Sequence, residues 1–241
     1  HVAWESYYNS DYEIFYANSD DYGNSWEEAV QITNSTSQSA MYACLAADES
    51  GVFVAWRDYG DYDGDGTSDY DVILQASHDN GDSWASAIVV SDDDQASRSN
   101  SQAHPAIAAN NGLLYALWME TPNSGRADDT WVMDLDRSNW TERTPSEHPP
   151  AVYYHTLEAY RSGSSYNLLL FGGSNAAGYS NESWIYYPDF DWWGESGSQV
   201  DPSARYMQAM AGDWNNVDGE GLAVMFGGYG QDDDGVFGYR N

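Results

Sequence analysis

Ser77-His78-Asp79-Asn80-Gly81-Asp82-Ser83-Trp84 decides the fold, because the chain contains this phrase twice. The first copy runs from Ser19 to Trp26, and both copies read Ser-x-Asp-x-Gly-x-Ser-Trp. Each follows a run of alternating character that is typical of a half-buried strand, Tyr12 to Tyr16 or Tyr70 to Leu74. Asp accepts hydrogen bonds from backbone N–H groups and Gly permits positive φ, so the phrase predicts a tight turn. A phrase that returns with its flanks indicates a repeated unit.

The repeated unit extends beyond the phrase. Val2-Ala3-Trp4 matches Val54-Ala55-Trp56 at a spacing of 52 residues, whereas the two phrases are 58 residues apart. The difference locates a six-residue insertion between the second and third strands of the second unit. Short runs rich in Val, Ile, Tyr and Trp, separated by Gly, Asn, Asp and Ser, continue to the end of the chain. We therefore predict an all-β protein, a β-propeller of four-stranded blades.

About five blades are visible in the sequence. They are a partial blade at 1–37, a blade with the phrase and the insertion at 38–97, a hybrid blade at 101–146, a blade of a second type at 147–198, and a partial one at 199–241. The first unit lacks a first strand and the fifth lacks a fourth strand. We therefore expect an incomplete ring, or part of a larger propeller.

The two ends of the chain resemble two repeat families. Residues 1–95 resemble the Asp-box repeats of sialidase-type propellers, through Ser19, Asp21, Gly23, Trp26, Ser77, Asp79, Gly81 and Trp84. Residues 128–241 resemble kelch repeats, through Gly172, Gly173, Trp184, Trp193, Gly227 and Gly228. In both families these residues hold turns and inter-blade packing, so the resemblance implies a propeller and much less about activity.

Charge excludes some classes of partner. The chain has 39 Asp and Glu against 8 positive residues, all Arg, for a formal net charge of -31. Such a surface repels phosphate backbones, so nucleic-acid binding is not expected. No apolar run is long enough for a membrane span. The absence of Lys resembles proteins of salt-loving microbes, and an acidic secreted protein that binds calcium is the alternative.

Several local features favour an extracellular or cell-surface location. Asn34, Asn139 and Asn181 begin Asn-x-Ser/Thr sequons, which fit an exported glycoprotein. Cys44 is the only cysteine and lies in an apolar run, so we expect a buried, unpaired thiol. The chain opens at His1 without Met or a signal peptide, and is expected to be processed or a piece of a longer protein.

The insertion predicts a calcium site. Its residues Asp61, Asp63, Asp65, Gly66, Thr67 and Asp69 fall on positions 1, 3, 5, 6, 7 and 9 of the EF-hand loop pattern. Alternate carboxylates of such a loop converge on one hard cation, and the Thr67 carbonyl is a further ligand. Position 12 is Val72 rather than Glu, so the match is to the short calcium loops of dockerin-like proteins, with Asp71 completing the shell. A solvated acidic hairpin loop is the alternative.

The residues of sialidase catalysis are not recognisable. That family uses an arginine triad for the substrate carboxylate, a Tyr nucleophile assisted by Glu, and an acid/base Asp. The Arg-Ile-Pro phrase that usually carries one triad arginine is absent from the sequence. We expect Arg57 and Arg205 to pair with nearby carboxylates, and the histidines to be structural. The sequence assigns no catalytic residue and favours a protein that is not an enzyme.

The predicted function is an extracellular, non-catalytic β-propeller module for surface binding, adhesion or assembly, stabilised by calcium. Exposed Tyr and Trp suit stacking on sugars or contact with a protein, although inter-blade packing also uses aromatic residues. The expected partners are glycans or other surface proteins, including copies of the chain in an assembly. Two alternatives stay open: a fragment of a secreted sialidase-like glycoside hydrolase, and a structural subunit of an extracellular filament or surface layer.

Overall fold

A computed structural model describes residues 1–34, 39–62, 68–91, 101–121, 130–134, 139–175, 177–196, 202–213, 222–231 and 236–239. These residues form strands and a single turn of 3₁₀ helix, Pro188–Phe190. Within them no helix has the length and apolar character that a membrane span needs. The prediction of an all-β protein is confirmed.

The first two sheets are antiparallel meanders in chain order. The first contains β1 (Val2–Tyr8), β2 (Asp11–Ala17) and β3 (Val30–Gln31). The second contains β4 (Met41–Asp48), β5 (Gly51–Gly60), β6 (Asp69–Ser77) and β7 (Ile88–Val89). Trp4 of β1 lies opposite Phe15, and Trp56 of β5 lies opposite Ile73. Strand β1 is therefore the counterpart of β5.

Three further sheets follow along the chain. The third contains β8 (Ser101–Asn110), β9 (Leu113–Thr121), β10 (Thr130–Asp134) and β11 (Asn139–Arg143). The fourth begins with β12 (Thr156–Ser162) and β13 (Ser165–Phe171), which precede a two-stranded hairpin of β14 (Ser174–Asn175) and β15 (Gly178–Tyr179). It ends with β16 (Ser183–Tyr187) and β17 (Trp192–Glu195). The fifth contains β18 (Arg205–Asp213), β19 (Leu222–Gln231) and β20 (Phe237–Tyr239).

The chain divides into two compact units. Unit 1 comprises His1–Gly112 and Trp118–Ala127, and unit 2 comprises Leu113–Leu117 and Asp128–Asn241. Unit 1 thus contains the first two sheets and β8, and unit 2 contains the fourth and fifth sheets.

The core of unit 1 lies between its first two sheets. Ile14 of the first sheet packs with Val54, Trp56 and Ile73 of the second, and all four side chains are buried. Alternation along β2 and β5 places these residues on facing sides of their sheets. Burial of side chains of this size contributes about 1.5–3 kcal/mol each, so the stacking of the two sheets is a main source of stability.

A buried acid–hydroxyl pair recurs in both sheets. Thr33 Oγ1 donates to the Glu13 carboxylate and accepts from the Ile14 N–H at 2.9 Å. At equivalent positions 58 residues later, Ser91 Oγ donates to Asp71 Oδ1 at 2.8 Å and accepts from the Val72 N–H at 3.0 Å. Glu13, Thr33, Asp71 and Ser91 are all buried. In each sheet the pair links the segment that follows the last strand to the strand before it. The pair also gives hydrogen-bond partners to polar groups that are costly to bury unpaired.

The repeated phrase forms the same turn in both copies. Asp79 Oδ1 accepts from the Ser83 N–H and from Ser77 Oγ, each at 2.8 Å, and Ser77 Oγ accepts from the Gly81 N–H at 2.8 Å. The hydrogen bond from the Ser83 hydroxyl, with those from its N–H and Ser77, lowers the pKa of Asp79 to about 2. Asp21 makes the matching bonds with Ser25 and Ser19, and its pKa is lowered for the same reason.

The second copy is also packed against the first sheet. A Cβ placed on Gly81 would lie 2.3 Å from Cε1 of Tyr16, whereas one on Gly23 would have only Trp26 Cζ2 within reach, at 3.7 Å. Tyr16 is buried, donates from its hydroxyl to the Asn80 carbonyl at 3.0 Å, and packs edge-on against Trp84. The turn at 77–84 therefore links two neighbouring sheets, and the turn at 19–26 has no equivalent crowding at its glycine.

In unit 2 the core lies around Trp193. Its side chain is fully buried, and its Nε1 donates to Thr130 Oγ1 at 3.1 Å. Tyr186 packs beside it with ring centroids 5.1 Å apart, and Tyr115 lies 6.1 Å from Tyr186. Trp184, by contrast, is only partly buried and donates to the exposed Glu182 carboxylate. The two tryptophans of the kelch-like pattern therefore have different surroundings.

The Gly-Gly pairs allow the second strand of a sheet to approach the first. Gly173 and Gly228 have φ of 94° and 91°, and a Cβ on either would lie 3.0 Å from a carbonyl oxygen, that of Tyr153 or Tyr206. Any other residue at these positions would meet both a backbone penalty and a steric one. The two pairs are equivalent, which indicates that the fourth and fifth sheets share one local backbone arrangement.

The two equivalent turn glycines provide a matched test of this packing. We expect Gly81→Ala to lower the free energy of unfolding by roughly 3 kcal/mol, because the methyl group meets Tyr16 at a positive-φ position. Gly23→Ala should cost about 1 kcal/mol, since only the backbone penalty applies there. Denaturant unfolding of both variants measures the difference. Equal destabilisation would contradict the packing of the second turn on Tyr16.

Candidate functional site

The predicted calcium loop is only partly described. The described residues do not include Asp63, Asp65 or Thr67. For Asp69 the structure describes only the backbone, at the start of β6. Asp61 is exposed at the beginning of the loop. Asp71 is buried and accepts from Ser91, in the same way that Glu13 accepts from Thr33. Among the described residues no group of three or more acidic, His or Cys side chains is placed to hold a metal, so the calcium site stays a prediction.

Two buried carboxylates lie at the base of this loop. Asp58 and Asp71 are directly opposite each other on β5 and β6, and both are buried. Trp56 Nε1 donates to Asp58 Oδ2 at 3.2 Å. Burial, followed by the Asp58 charge, raises the pKa of the Tyr62 hydroxyl. Like charges opposite each other in a ladder are destabilising, so a cation close to this pair would be favourable.

The other predicted residues are spread over the sheets. The Asp-box residues form the turns after β2 and β6, and the Gly-Gly pairs lie beside first strands, as described above. Asn34 and Asn181 are exposed, and Asn139 begins β11. Glycosylation at these positions stays a prediction. None of these residues brings reactive groups together into a shared cleft within the described chain.

One end of the sheets carries strained backbone that the sequence did not reveal. Four non-glycine residues near the start of first strands have left-handed conformations: Tyr42, His104, Tyr154 and Met207, with φ between 55° and 61°. In the second sheet this is the end opposite the Asp-box turn, because β4 begins where β5 ends. Such residues cost of order 1–3 kcal/mol each and cluster at binding and active sites. These ends of the sheets are therefore candidate positions for functional side chains.

In unit 1 this end holds an arginine between two tyrosine rings. Cζ of Arg57 lies 4.5 Å from the ring centroid of Tyr42 and 4.0 Å from that of Tyr70, within the range of cation–π contacts. Nε of Arg57 is buried and has no hydrogen-bond partner among the described residues. In this part of the chain two rings contact the guanidinium, where the sequence led us to expect a carboxylate.

Neighbouring groups fix these rings. The imidazole of His104 packs against Tyr42 with centroids 4.2 Å apart, and the Tyr42 N–H donates to the Glu5 carboxylate. Tyr59 packs against Tyr70 with centroids 4.9 Å apart. A guanidinium that is held by ring contacts retains N–H donors for an anionic or carbonyl ligand. The arrangement resembles a binding position more than a structural ion pair.

Arg205 has a different role. Its Nη1 donates to the Gly227 carbonyl at 3.2 Å, and its Nε and Nη2 donate to the carbonyl and hydroxyl oxygens of Ser203. The guanidinium therefore holds the backbone beside the second Gly-Gly pair. These contacts assign Arg205 to the structure of the fifth sheet.

At the corresponding end of unit 2, six aromatic rings of the described residues are linked through Tyr179, Tyr206 and Tyr229. We call this set the aromatic cluster; it contains Tyr154, Tyr179, Tyr206, Tyr229, Phe237 and Tyr239. Tyr179 is central, with ring centroids 4.9 Å from Tyr206 and 5.7 Å from Phe237. Tyr239 packs on Tyr229 at 5.5 Å.

Part of the aromatic cluster faces solvent. Tyr179, Phe237 and Tyr239 are exposed, whereas Tyr206 and Tyr229 are half-buried beneath them. The half-buried rings support the exposed ones, so little side-chain entropy is left to lose when a ligand binds. Flat, supported rings with hydroxyl groups at their edges are suited to stacking on another planar or ring-shaped ligand.

Comparisons with known proteins support the fold. No family model matches the chain. No curated protein matches it either. Among solved structures, the chain is similar to one named Hadza microbial sialidase Hz136, with a TM-score of 0.60 and 13% sequence identity, over 90% of this chain and 47% of that one. The chain thus spans about half the length of that sialidase.

This similarity confirms the predicted β-propeller fold. The neighbour is a sialidase, so the similarity to a sialidase-type propeller holds at the level of fold. At this identity it carries no activity over to the chain. The Asp-box and kelch resemblances of individual residues stay predictions.

Burial changes the ionisation of two residues in the fourth sheet. It lowers the pKa of His155 to about 4, so this imidazole is neutral near pH 7. It raises the pKa of Glu158 to about 7, although N–H groups of Gly212 and Ala159 partly oppose the change. Glu158 is packed against β18, where a Cβ on Gly212 would lie 2.9 Å from its Cγ.

Glu158 should make stability depend on pH. Its pKa is higher in the folded chain than in the unfolded one, so its stabilising effect is complete below about pH 4.5 and is lost as the pH rises through about 7. We expect Glu158→Gln to be more stable than the parent at pH 8 by on the order of 2–3 kcal/mol relative to their difference at pH 4.5. Denaturant unfolding across this range measures it.

The control for this experiment is Glu147→Gln, which removes the same charge from an exposed position. It reports how much of any change comes from the net charge alone. Parallel pH profiles for the parent and Glu158→Gln would mean that Glu158 ionises normally in the folded chain.

Proposed function

We propose that the chain is a non-catalytic, extracellular β-propeller module that binds glycans through the aromatic cluster. The observation that carries this proposal is the exposed set Tyr179, Phe237 and Tyr239, held in place by Tyr206 and Tyr229 beneath. The C–H faces of a sugar ring stack on aromatic rings, and tyrosine hydroxyl groups hydrogen-bond the sugar hydroxyls. Adhesion to a surface that displays such glycans is the corresponding biological role.

The negative charge of the protein favours neutral glycans over acidic ones as ligands. At a formal net charge of -31 the chain repels acidic sugars over several ångströms at moderate salt. The described residues of the aromatic cluster are themselves uncharged. We therefore propose neutral glycans as the ligands of this site.

The first test is a glycan-binding measurement with matched tyrosine variants. We expect the parent to bind neutral glycans on an array, and Tyr179→Ala with Phe237→Ala to lower the affinity about tenfold or more, because two stacking faces are removed. Tyr7→Ala is the control, since Tyr7 is exposed on β1 and lies outside the cluster. Equal binding by the double variant and the control would contradict the proposal.

A sialidase-like glycoside hydrolase, of which this chain is a fragment, is the second candidate. Arg57 favours it, because a guanidinium held by two rings keeps donors for a substrate carboxylate. The same glycan array separates the two functions when it is used to measure the release of sialic acid as well as binding. Release of sialic acid from sialylated glycans, lost in Arg57→Ala, would favour the hydrolase and contradict a non-catalytic module.

We also propose that calcium stabilises the loop between β5 and β6. Asp61, Asp63, Asp65, Thr67 and Asp69 would hold the ion, and the acidic pair Asp58 and Asp71 at its base adds attraction for a divalent cation. Since Asp71 Oδ1 accepts from Ser91 as part of a contact repeated in the first sheet, Asp71 is a weaker candidate ligand than the sequence indicates. The ion would neutralise part of the negative charge of the loop.

Calorimetry tests the calcium proposal. We expect titration of the parent with calcium to give binding heat that is lost in Asp63→Asn with Asp65→Asn, because two central ligands are removed. Asp232→Asn with Asp233→Asn is the control, as it removes the same charge from an acidic run without the loop spacing. Equal binding heats in the three proteins would contradict the proposed calcium site.

The proposed cellular setting rests on features of the sequence. Three sequons, an extracellular type of calcium loop and a single thiol suit a secreted or surface-attached glycoprotein. The acidic surface without Lys suits a saline environment, where cations screen the self-repulsion. Partners other than glycans, including surface proteins and further copies of the chain in a filament or layer, belong to the same proposal.

A further inference from the structure

Two tyrosines of the aromatic cluster come from different strands and are held together by the backbone. Tyr179 lies on β15, in the hairpin between β13 and β16, and Tyr206 lies on β18 of the fifth sheet. The N–H of Arg205 donates to the Ser180 carbonyl at 3.1 Å. These two residues are the chain neighbours of the two tyrosines, so the hydrogen bond keeps the tyrosine backbones adjacent. All of these residues belong to unit 2.

The first Gly-Gly pair strengthens this attachment. The Gly173 N–H donates to the Arg205 carbonyl at 2.9 Å, and the Ser180 N–H donates to the Gly173 carbonyl, also at 2.9 Å. A Cβ placed on Gly172 would lie 2.7 Å from the Arg205 carbonyl oxygen. The hairpin and the start of β18 are therefore packed backbone against backbone. Their separation is fixed before the tyrosine side chains choose a rotamer.

The two rings lie close together with their hydroxyl groups on the same side. Their centroids are 4.9 Å apart and their planes differ by 34°. Burial raises the pKa of the Tyr206 hydroxyl, and the charge of the Tyr179 hydroxyl and a hydrogen bond with it add to the change. The Cε carbons beside the two oxygens are therefore neighbours as well. Tyr229, by contrast, meets Tyr206 at 5.7 Å with planes 60° apart.

This pair can carry a covalent link that the chain otherwise lacks. Cys44 is the only cysteine, so no disulfide can join two segments of one chain. We infer that Tyr179 and Tyr206 are a site of oxidative cross-linking, at which a dityrosine bond joins the hairpin to β18. The inference rests on contacts inside unit 2 and does not depend on glycan binding by the aromatic cluster.

The reaction requires a one-electron oxidant, and hydrogen peroxide acting through a peroxidase is the class that supplies it. Each phenol gives up one electron and its hydroxyl proton, which leaves two phenoxyl radicals with spin density on the Cε carbons. A carbon–carbon bond forms between one Cε of each ring. The hydrogen on each bonded carbon then moves as a proton to the oxygen of its own ring, which restores both phenols. One hydrogen peroxide becomes two waters, and the chain loses two hydrogen atoms.

The structure favours this pair over random coupling. Tyr179 is 38% exposed, so an oxidant can reach it, and Tyr206 is already beside it when the radicals form. A pair that is held in place reacts as if its partner were at a very high concentration. Like a disulfide, the new bond would restrict the unfolded chain, and it would hold the aromatic cluster together.

Oxidation of the dilute chain with a peroxidase and limiting hydrogen peroxide tests the inference. The monomer is recovered by size-exclusion chromatography, which removes cross-links between chains. It should show dityrosine fluorescence and a mass lower by two hydrogen atoms. Trypsin cleaves this chain only after Arg, since Lys is absent, and so places Tyr179 on residues 162–205 and Tyr206 on residues 206–240. Mass spectrometry should find these two peptides joined through the two tyrosines.

Three phenylalanine variants make the test specific. Tyr179→Phe and Tyr206→Phe each keep the ring and remove one phenol, so both should fold and lose the joined peptides. Tyr229→Phe is the matched control, because it makes the same change in the same cluster and should give the parent yield.

Three results would overturn the inference. The first is an oxidised parent monomer without the joined peptides, and the second is joined peptides that persist in Tyr179→Phe or disappear in Tyr229→Phe. The third is a bond from residues 206–240 to residues 144–161 in place of 162–205. That product would assign the reaction to Tyr154, the other ring beside Tyr206, with centroids 5.4 Å apart. None of these results bears on glycan binding, which the array measures separately.

Discussion

The structure depends on the stacking of one apolar sheet face on the next. A meander of three or four strands has two faces, and neither face of these sheets is uniformly polar, so no sheet is stable by itself in water. Ile14 against Trp56 in unit 1 and Tyr115 against Tyr186 in unit 2 are two instances of this requirement. The Asp-box turn at 77–84 and the first Gly-Gly pair serve the same end, because Gly81 lies against Tyr16 of the first sheet and Gly172 lies against Arg205 of the fifth.

The local part of this fold could be predicted from sequence. Asp79, Ser77, Ser83 and Gly81 are close in the chain, and their hydrogen bonds follow from turn chemistry that acts over a few residues. The repeat then extends the prediction from one turn to a set of sheets. Contacts between residues that are distant in the sequence could not be predicted. The contact of Tyr16 with Gly81 and the hydrogen bond of Ser91 to Asp71 depend on which strands are neighbours. The equal spacing of Thr33 and Ser91 from their phrases was the available signal for the acid–hydroxyl pairs.

The candidate site shows the same division. Tyrosine pairs in the sequence indicated exposed aromatic residues, yet the aromatic cluster joins residues from five strands or their flanks, and no short pattern encodes it. Arg57 was expected beside a carboxylate in a chain so rich in Asp and Glu. Among the described residues its guanidinium instead contacts two tyrosine rings, because the irregular start of β4 places Tyr42, and β6 places Tyr70, beside it.

The left-handed residues that begin the first strands have a consequence for how such a protein diversifies. Tyr42, His104, Tyr154 and Met207 share one backbone conformation but have side chains of three different types. The backbone there is imposed by the neighbouring strands, so the identity of the side chain is free to vary while the ladder is kept. The second to fifth sheets thereby each offer one exchangeable side chain on a constant backbone. Recognition can change by single substitutions at these positions, much as antibody loops vary on an unchanging sandwich.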